Sequence, residues 1–217
     1  MSFAELLRAL AHGAGYTVAV TLACAATGFV TGLLITGLRR VPLPALQSVL
    51  ALWVFVLRGV PVLVLLFLVY FGLPSIGVKV SPWLAMMLSL GLVAGAYLSE
   101  VFRGALAAVD TAEVDAALAM GFSRRQVFFS IELPQMLRFA VPGMVNEFTT
   151  VLKYSPFAYT VGLPEVTKEA MTLTATTLRG MEIYLAAGCL YFVIYRVLLI
   201  AVHAVERYFR VPGMEPT

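Results

Sequence analysis

The segment Asp110–Pro134, DTAEVDAALAMGFSRRQVFFSIELP, is the one long polar run in a strongly apolar chain. It is rich in Ala, Leu, Met, Glu and Arg, which favour helix, whereas a flexible loop would hold mainly Gly, Ser and Pro. Asp110, Glu113 and Asp115 come early and Arg124 and Arg125 come late, an order that suits a helix macrodipole. The pattern predicts two short helices on the membrane surface, with a turn at Gly121.

The composition places the chain among integral membrane proteins. Its 217 residues are 61% hydrophobic and 12% charged, while soluble domains carry about 25% charged residues. The net charge is +3 and the basic residues are scattered, so no nucleic acid partner is expected. The two cysteines and two histidines lie far apart in the sequence, so neither a disulfide nor a metal site is expected.

The apolar runs predict an all-α membrane protein with about five transmembrane helices, since a span requires about 20 apolar residues. The spans are expected at about residues 15–38, 56–73, 83–107, 135–157 and 183–205. The expected domains are an amphipathic segment over 1–14, a transmembrane domain over 15–208 that includes the loop 109–134, and a tail over 209–217.

Arginines at the ends of the spans predict the orientation of the chain. With five spans, one side of the membrane carries Arg39, Arg40, Arg124, Arg125, Arg207 and Arg210. The other side carries a sparser set of basic residues. By the positive-inside rule, the loop 109–134 and the C-terminus are therefore expected in the cytoplasm and the N-terminus outside.

Two GxxxG motifs, Gly28–Gly32 in the first span and Gly91–Gly95 in the third, allow another helix to pack closely. The sequence leaves open whether that helix belongs to another subunit or to the same chain.

The central polar segment resembles the EAA loop of bacterial permeases of ATP-binding-cassette (ABC) importers. The family pattern is Glu-Ala-Ala-x-x-x-Gly, followed by a stretch that ends in an apolar residue and Pro. The matching residues are Asp115, Ala116, Ala117, Gly121, Leu133 and Pro134, with Asp115 where Glu is usual. The resemblance implies that these residues couple the chain to a separate ATPase subunit. A plain amphipathic surface helix is the alternative interpretation.

Three further stretches resemble the polar amino-acid uptake permeases (the histidine, glutamine and arginine type). They are RGVPVLVLLFLVYFGLP at 58–74, AYLSEVFRGAL at 96–106 and VLKYSPFAYTVGLPEV at 151–166. In the last, Tyr154-Ser155-Pro156 replaces the usual Asp-Thr-Ser of the family. The resemblance covers about residues 13–208 and implies a type-1 ABC importer transmembrane domain in the bacterial inner membrane.

The resemblance also implies the partners. These are two ABC ATPase subunits, a second permease subunit that is identical or paralogous, an extracytoplasmic solute-binding protein, a polar amino acid as substrate, and membrane lipid. The chain has no GxxxxGK[ST] phosphate loop, so it is not expected to be an enzyme. No cofactor is expected in this chain, and ATP and Mg²⁺ are expected on the partner ATPase.

The fourth span carries polar residues and a break at Ser155-Pro156. Broken helices at membrane depth commonly form the substrate sites of transporters. A zwitterionic amino acid requires a cationic and an anionic partner. The residues predicted to line the substrate path are Glu100, Asn146, Glu147, Lys153, Tyr154 and Ser155. For Glu100 the alternative is a structural ion pair with Arg103 at the end of its helix.

Other functions fit the sequence less well. A secondary transporter or channel that works without ATP would have no use for a charged helical loop hinged at Gly121. A membrane-embedded enzyme would require a catalytic cluster within the spans, and the sequence offers none. A purely structural subunit would not require the charged and kinked fourth span. The sequence does not distinguish an amino acid from a related polar solute such as an opine.

Overall fold

A computed structural model describes residues 3–209, with the side chains of residues 8–202 and 204. All regular elements in this part of the chain are helical. Residues 1–2 and 210–217, which include Arg210 and most of the predicted tail, lie outside the described residues, as does the side chain of Arg207. The first 14 residues are not a separate element in the described part, because helix α1 is continuous over Phe3–Leu38.

The remaining helices follow in chain order. They are α2 Pro44–Gly59, α3 Val62–Phe67, α4 Pro82–Met86, α5 Leu92–Ala107, α6 Thr111–Ala119, α7 Arg124–Val127, α8 Leu133–Tyr154, α9 Val166–Thr177 and α10 Gly180–Phe209. Single π-helical turns lead from α3 to Gly72, from α4 into α5 and from α7 into α8. Short 3₁₀ helices cover Leu73–Ile76 and Ser155–Val161.

Within the described residues, three helical stretches are long and apolar enough to cross a membrane: Arg8–Leu38, Pro82–Ala107 and Gly180–Val202. A fourth crossing is available if Pro44–Gly59 and Val62–Ile76 form one span, although the two halves are bent by 104°. The span expected at 56–73 therefore crosses this bend. The span expected at 135–157 coincides with α8, which has 22 residues but is more polar.

Helices α1 and α5 cross where their GxxxG motifs meet. A Cβ atom on Gly28 would lie 3.2 Å from the backbone nitrogen of Gly95, and a Cβ atom on Gly95 would lie 3.2 Å from the carbonyl oxygen of Gly28. A Cβ atom on Gly95 would also collide with Oγ1 of Thr31. The close partner of each motif is thus the other motif in the same chain, and the crossing fixes the rotation of both helices.

Helix α9 is held against α1 and α10 by a buried polar network. The carboxylate of Glu165, which is completely buried, accepts hydrogen bonds from the backbone N–H groups of Thr167 at 2.9 Å and Lys168 at 2.8 Å. The hydroxyl of Tyr191 on α10 also donates to Glu165. The hydroxyl of Thr17 on α1 accepts the backbone N–H of the next residue, Val166, at 3.3 Å. One carboxylate therefore caps α9 and joins it to α10.

Candidate coupling segment and substrate cavity

The central polar segment forms two short helices joined by a turn at Gly121, as the sequence predicts. Helix α6 begins at Asp110, whose carboxylate accepts the N–H of Ala112 at 2.8 Å. Gly121 has φ +88°, and a Cβ atom there would meet nothing within 4 Å. The glycine is thus required by the left-handed backbone of the turn rather than by crowding.

Helix α7 is fixed at its start by a capping box. The hydroxyl of Ser123 accepts the N–H of Gln126 at 3.3 Å, and the side-chain oxygen of Gln126 accepts the N–H of Ser123 at 2.8 Å. Reciprocal capping of this kind stabilises the first turn of a helix. The segment then passes through the π-helical turn Phe128–Glu132 and enters α8 at Leu133 and Pro134.

The six predicted coupling residues do not share one face. Asp115, Ala116, Gly121 and Pro134 are exposed, Leu133 is half-buried and Ala117 is buried. Ala117 holds the turn instead, because its carbonyl accepts the N–H of Phe122 at 3.1 Å.

Two large apolar side chains beside Gly121 are exposed on this segment. Met120 is 79% exposed and Phe122 is 42% exposed. They were absent from the predicted set, although large apolar residues that flank the glycine of a polar loop are a signal for an interface.

Two groups of ion pairs lie at the end of α1, next to this segment. Arg39 contacts Glu100 on α5 at 2.6 Å, and Glu100 also contacts Arg103 at 2.8 Å. Arg40 makes a bidentate contact with Glu132 at 2.5 and 2.6 Å, and the hydrogen bonding raises the pKa of Arg40. Glu100 therefore belongs to a group of ion pairs with Arg39 and Arg103. The pair with Arg103 is the one that the alternative interpretation of the sequence expects.

A cavity of about 220 Å³ lies at the bend between α2 and α3. Its polar lining comes from Arg58 beside the bend, Tyr97 on α5, and Glu147, Thr150 and Tyr154 on α8. The guanidinium of Arg58 lies 4.9 Å from the centre of the Tyr97 ring, a cation–π distance. Among the described side chains, neither Arg58 nor Glu147 has an ion-pair partner, so this cavity contains one basic and one acidic side chain that form no direct salt bridge.

Glu147 lies between two cavities. On its other side is a cavity of about 500 Å³, lined by apolar residues of α1, α5, α8 and α10, in which Glu147 is the only ionisable residue of the described lining. An ionisable side chain surrounded by apolar helices in a membrane protein is energetically costly and points to a functional role.

The structure brings together only part of the predicted substrate path. Glu147 and Tyr154 share the cavity at the bend, whereas Lys153 lines a separate cavity of about 520 Å³ with Tyr191 and Tyr195. Ser155 is completely buried and donates to the carbonyl of Leu152 at 2.8 Å.

Asn146, another member of the predicted path, is exposed, and its backbone carbonyl accepts the hydroxyls of Thr149 and Thr150 at 2.8 and 3.0 Å. Arg58, which was not in the predicted set, supplies the cation of the cavity at the bend. Its position directly before Gly59-Val60-Pro61, which interrupts an apolar run, was the available signal.

The helical membrane body, the capped polar segment and the cavity at a broken helix define a polytopic transport component. Residues 10–211 match the family described as binding-protein-dependent transport system inner membrane component, and the chain belongs to this family.

Relatives and a solved structure agree with this assignment. The "Probable amino-acid permease protein YxeN" of Bacillus subtilis is 33% identical over 196 residues, which cover 89% of this chain and 86% of that protein. The "Probable glutamine ABC transporter permease protein GlnP" of Bacillus subtilis is 33% identical over 181 residues, which cover 82% of this chain and 83% of the relative. A crystal structure of an amino acid ABC transporter with histidines has a TM-score of 0.86 at 26% identity, covering 96% of this chain and 99% of that one.

The comparisons confirm the predicted fold class, the transmembrane domain of a type-1 ABC importer, and the resemblance to importer permeases. The chain is a permease component of the inner membrane and not an enzyme, because the ATP-hydrolysing step belongs to a separate subunit. Such a component works with a solute-binding protein and with an ATPase.

Proposed function

We propose that this chain forms the translocation path for a polar amino acid across the bacterial inner membrane. The observation that carries the proposal is the cavity at the α2–α3 bend, which presents Arg58 and Glu147 to one small space. Relatives named for amino acids and for glutamine support this substrate class.

The chemistry of the cavity fits a zwitterion. Arg58 would pair with the α-carboxylate and Glu147 with the α-ammonium group, while the hydroxyls of Thr150 and Tyr154 complete the polar lining. The guanidinium of Arg58 makes a cation–π contact with the ring of Tyr97. This contact limits the conformations of the Arg58 side chain before the substrate binds. A site whose charges are not already paired favours a ligand that brings both charges, because the ligand neutralises each of them.

Coupling to the ATPase would occur at the segment 109–134. Asp115, Ala116 and Gly121 lie on its exposed side, and Met120 and Phe122 supply apolar surface for a groove on the ATPase. Ala117 and Leu133 would shape the segment from within, and Pro134 would start the helix that follows. ATP and Mg²⁺ bind the ATPase, whose closure would move the segments together and open the path outward, and hydrolysis would reverse the change.

The assembly we propose has two permease subunits, identical or paralogous, two ATPase subunits and one extracytoplasmic solute-binding protein. Helix α8 would also cross the membrane, which brings the number of crossings to five, and its polar residues would then face the path rather than lipid. The N-terminus would lie outside and the C-terminus in the cytoplasm, as the arginine distribution predicts.

The test is uptake of radiolabelled glutamine and histidine by liposomes that contain the purified permease, ATPase and solute-binding protein. Glu147→Gln and Arg58→Ala each remove one charge of the cavity and should raise the substrate KM by about tenfold or more. Lys153→Ala is the matched control, because Lys153 lines a different cavity, and its KM should stay near that of the wild type.

The outcomes separate the proposal from its alternatives. A substrate KM that responds to Lys153→Ala but not to the two cavity variants would place the site elsewhere. Uptake down a gradient by the permease alone, without ATPase or ATP, would replace the importer with a secondary transporter or channel.

A further inference from the structure

Three side-chain contacts connect the coupling segment to the helices of the membrane body in a continuous series. They join α6 to α8, the π-helical turn that leads into α8 to the end of α1, and the end of α1 to α5. The contacts are Gln135–Glu113 at 2.5 Å, Arg40–Glu132 at 2.5 and 2.6 Å, and Arg39–Glu100 at 2.6 Å. Adjacent arginines at the end of one helix thus contact two other helices.

Helix α6 and the end of α1 face each other across an open space. A cavity of about 550 Å³ lies between them, with Gly37 and Arg40 on the α1 side and Val114 and Leu118 on the α6 side. On this side of the molecule the side chain of Arg40 bridges to the turn before α8 through Glu132, in addition to the apolar packing of α8 against α1 and α5.

The arginine pair is held in a fixed turn. The side-chain amide of Gln47 on α2 donates to the carbonyls of Arg39 at 3.3 Å and Val41 at 3.2 Å. The guanidinium of Arg40 also lies 4.8 Å from the centre of the Phe128 ring, in the turn that carries Glu132. A bidentate contact combined with a ring contact fixes the direction of the side chain as well as its distance.

We propose that Arg40 is a positioning residue that transmits the movement of the coupling segment to α1 through Glu132, and that Arg39 carries it on to α5 through Glu100. This inference depends on the proposed function, since it assumes that the segment is driven by the ATPase. The side chain of Arg40 is 39% exposed and that of Glu132 is 14% exposed. Partly exposed ion pairs add little to folding stability, so loss of the pair should disturb transmission more than assembly.

The experiment uses the full complex in liposomes and measures ATP hydrolysed per glutamine imported. Arg40→Ala should raise this ratio by about fivefold or more. A factor of about five corresponds to the lower end of typical coupling free energies. The exchange variant Arg40→Glu with Glu132→Arg restores opposite charges at the same positions and should recover a large part of the coupling. A lysine at position 40 keeps the charge but not the bidentate geometry, so Arg40→Lys should give an intermediate ratio.

Arg103→Ala is the matched control. It also removes an ion pair, but Arg103 and Glu100 both belong to α5, three residues apart, so their contact links no two elements. The control should leave the ratio unchanged. A ratio unchanged in Arg40→Ala, an equal rise in Arg103→Ala, or no recovery in the exchange variant would overturn the proposal. Loss of the ATPase from the purified Arg40→Ala complex would show a structural role and would overturn it too.

A second readout separates this inference from the proposed substrate. The rate of ATP hydrolysis is measured with and without the solute-binding protein, whatever solute that protein carries. If wild type imports no glutamine but its ATPase still responds to the binding protein, the substrate assignment fails. Loss of that response in Arg40→Ala, with the response intact in Arg103→Ala, would then support the transmitting role, and an intact response in both would refute it.

Discussion

Glu165→Ala tests the buried network that holds α9 between α1 and α10. The wild-type carboxylate is completely buried and receives the N–H groups of Thr167 and Lys168 together with the hydroxyl of Tyr191. Alanine leaves these three donors without their partner and removes the cap of α9. The space vacated by the carboxylate is enclosed, so water has limited access to the donors that remain.

The magnitude follows from the two losses. Removing a helix N-cap costs about 0.5–2 kcal/mol. Leaving a buried donor unpaired costs about 1–3 kcal/mol. The two terms overlap, because the cap and the first two donors are the same contacts, so we expect a loss of about 2–4 kcal/mol in the free energy of unfolding. In a chain of this size 1 kcal/mol corresponds to roughly 2–4 °C, so Tm should fall by about 4–16 °C.

The assay is thermal unfolding of the purified permease in mild detergent, followed by intrinsic fluorescence. The control is Glu169→Ala on the same helix, whose carboxylate has only His12 at 3.6 Å as an ion-pair partner among the described side chains. A partly exposed pair of this kind contributes about 0–1 kcal/mol, so the control should shift Tm little. Equal shifts for the two variants would refute the assignment of Glu165 as the residue that joins α9 to its neighbours.

Two further predictions concern glycines. Gly95→Val should destabilise the permease by about 1–3 kcal/mol, because the added atoms would collide with Thr31 at the helix crossing. Gly104→Val, with open space around it, should lower Tm far less, and equal melting of both variants would contradict the crossing described above. Gly121→Leu should insert at normal levels but lose ATP-driven uptake, because it combines a left-handed strain of about 1–2 kcal/mol with a side chain on the coupling surface. Gly121→Asn should retain more uptake, because asparagine tolerates positive φ. Normal uptake by cells that carry Gly121→Leu would rule out the coupling role.

The two-helix structure of the segment 109–134 could be predicted because its determinants are local. Asp110 and Ser123 cap helices within their own first turns, and Gly121 supplies the left-handed residue that ends α6. Such signals act within a few residues, so the sequence alone indicates them. The exposed apolar pair Met120 and Phe122 was equally local, but its exposure depends on the direction in which the turn points.

The cavity at the bend could not be predicted, because it depends on three elements that are distant in sequence. Arg58, Tyr97 and Glu147 meet only because α2 and α3 turn by 104° beside α5 and α8. Tyr97 and Glu100 lie three residues apart on α5, yet the first lines the cavity and the second pairs with Arg39. The rotation of α5 separates these two roles, and that rotation is set by its crossing with α1.

Helix α1 runs without a break for 36 residues, about 54 Å at 1.5 Å per residue, well beyond the hydrocarbon thickness of a bilayer. Thr17, near the middle of the helix, contacts the start of α9, and the C-terminal end of the helix leads into Arg39 and Arg40. If α1 carries movement between these contacts, the transmission acts in both directions, and thermodynamic linkage makes the two effects equal. The factor by which nucleotide changes the affinity of the permease complex for its solute-binding protein must therefore match the factor by which that protein changes the affinity for nucleotide.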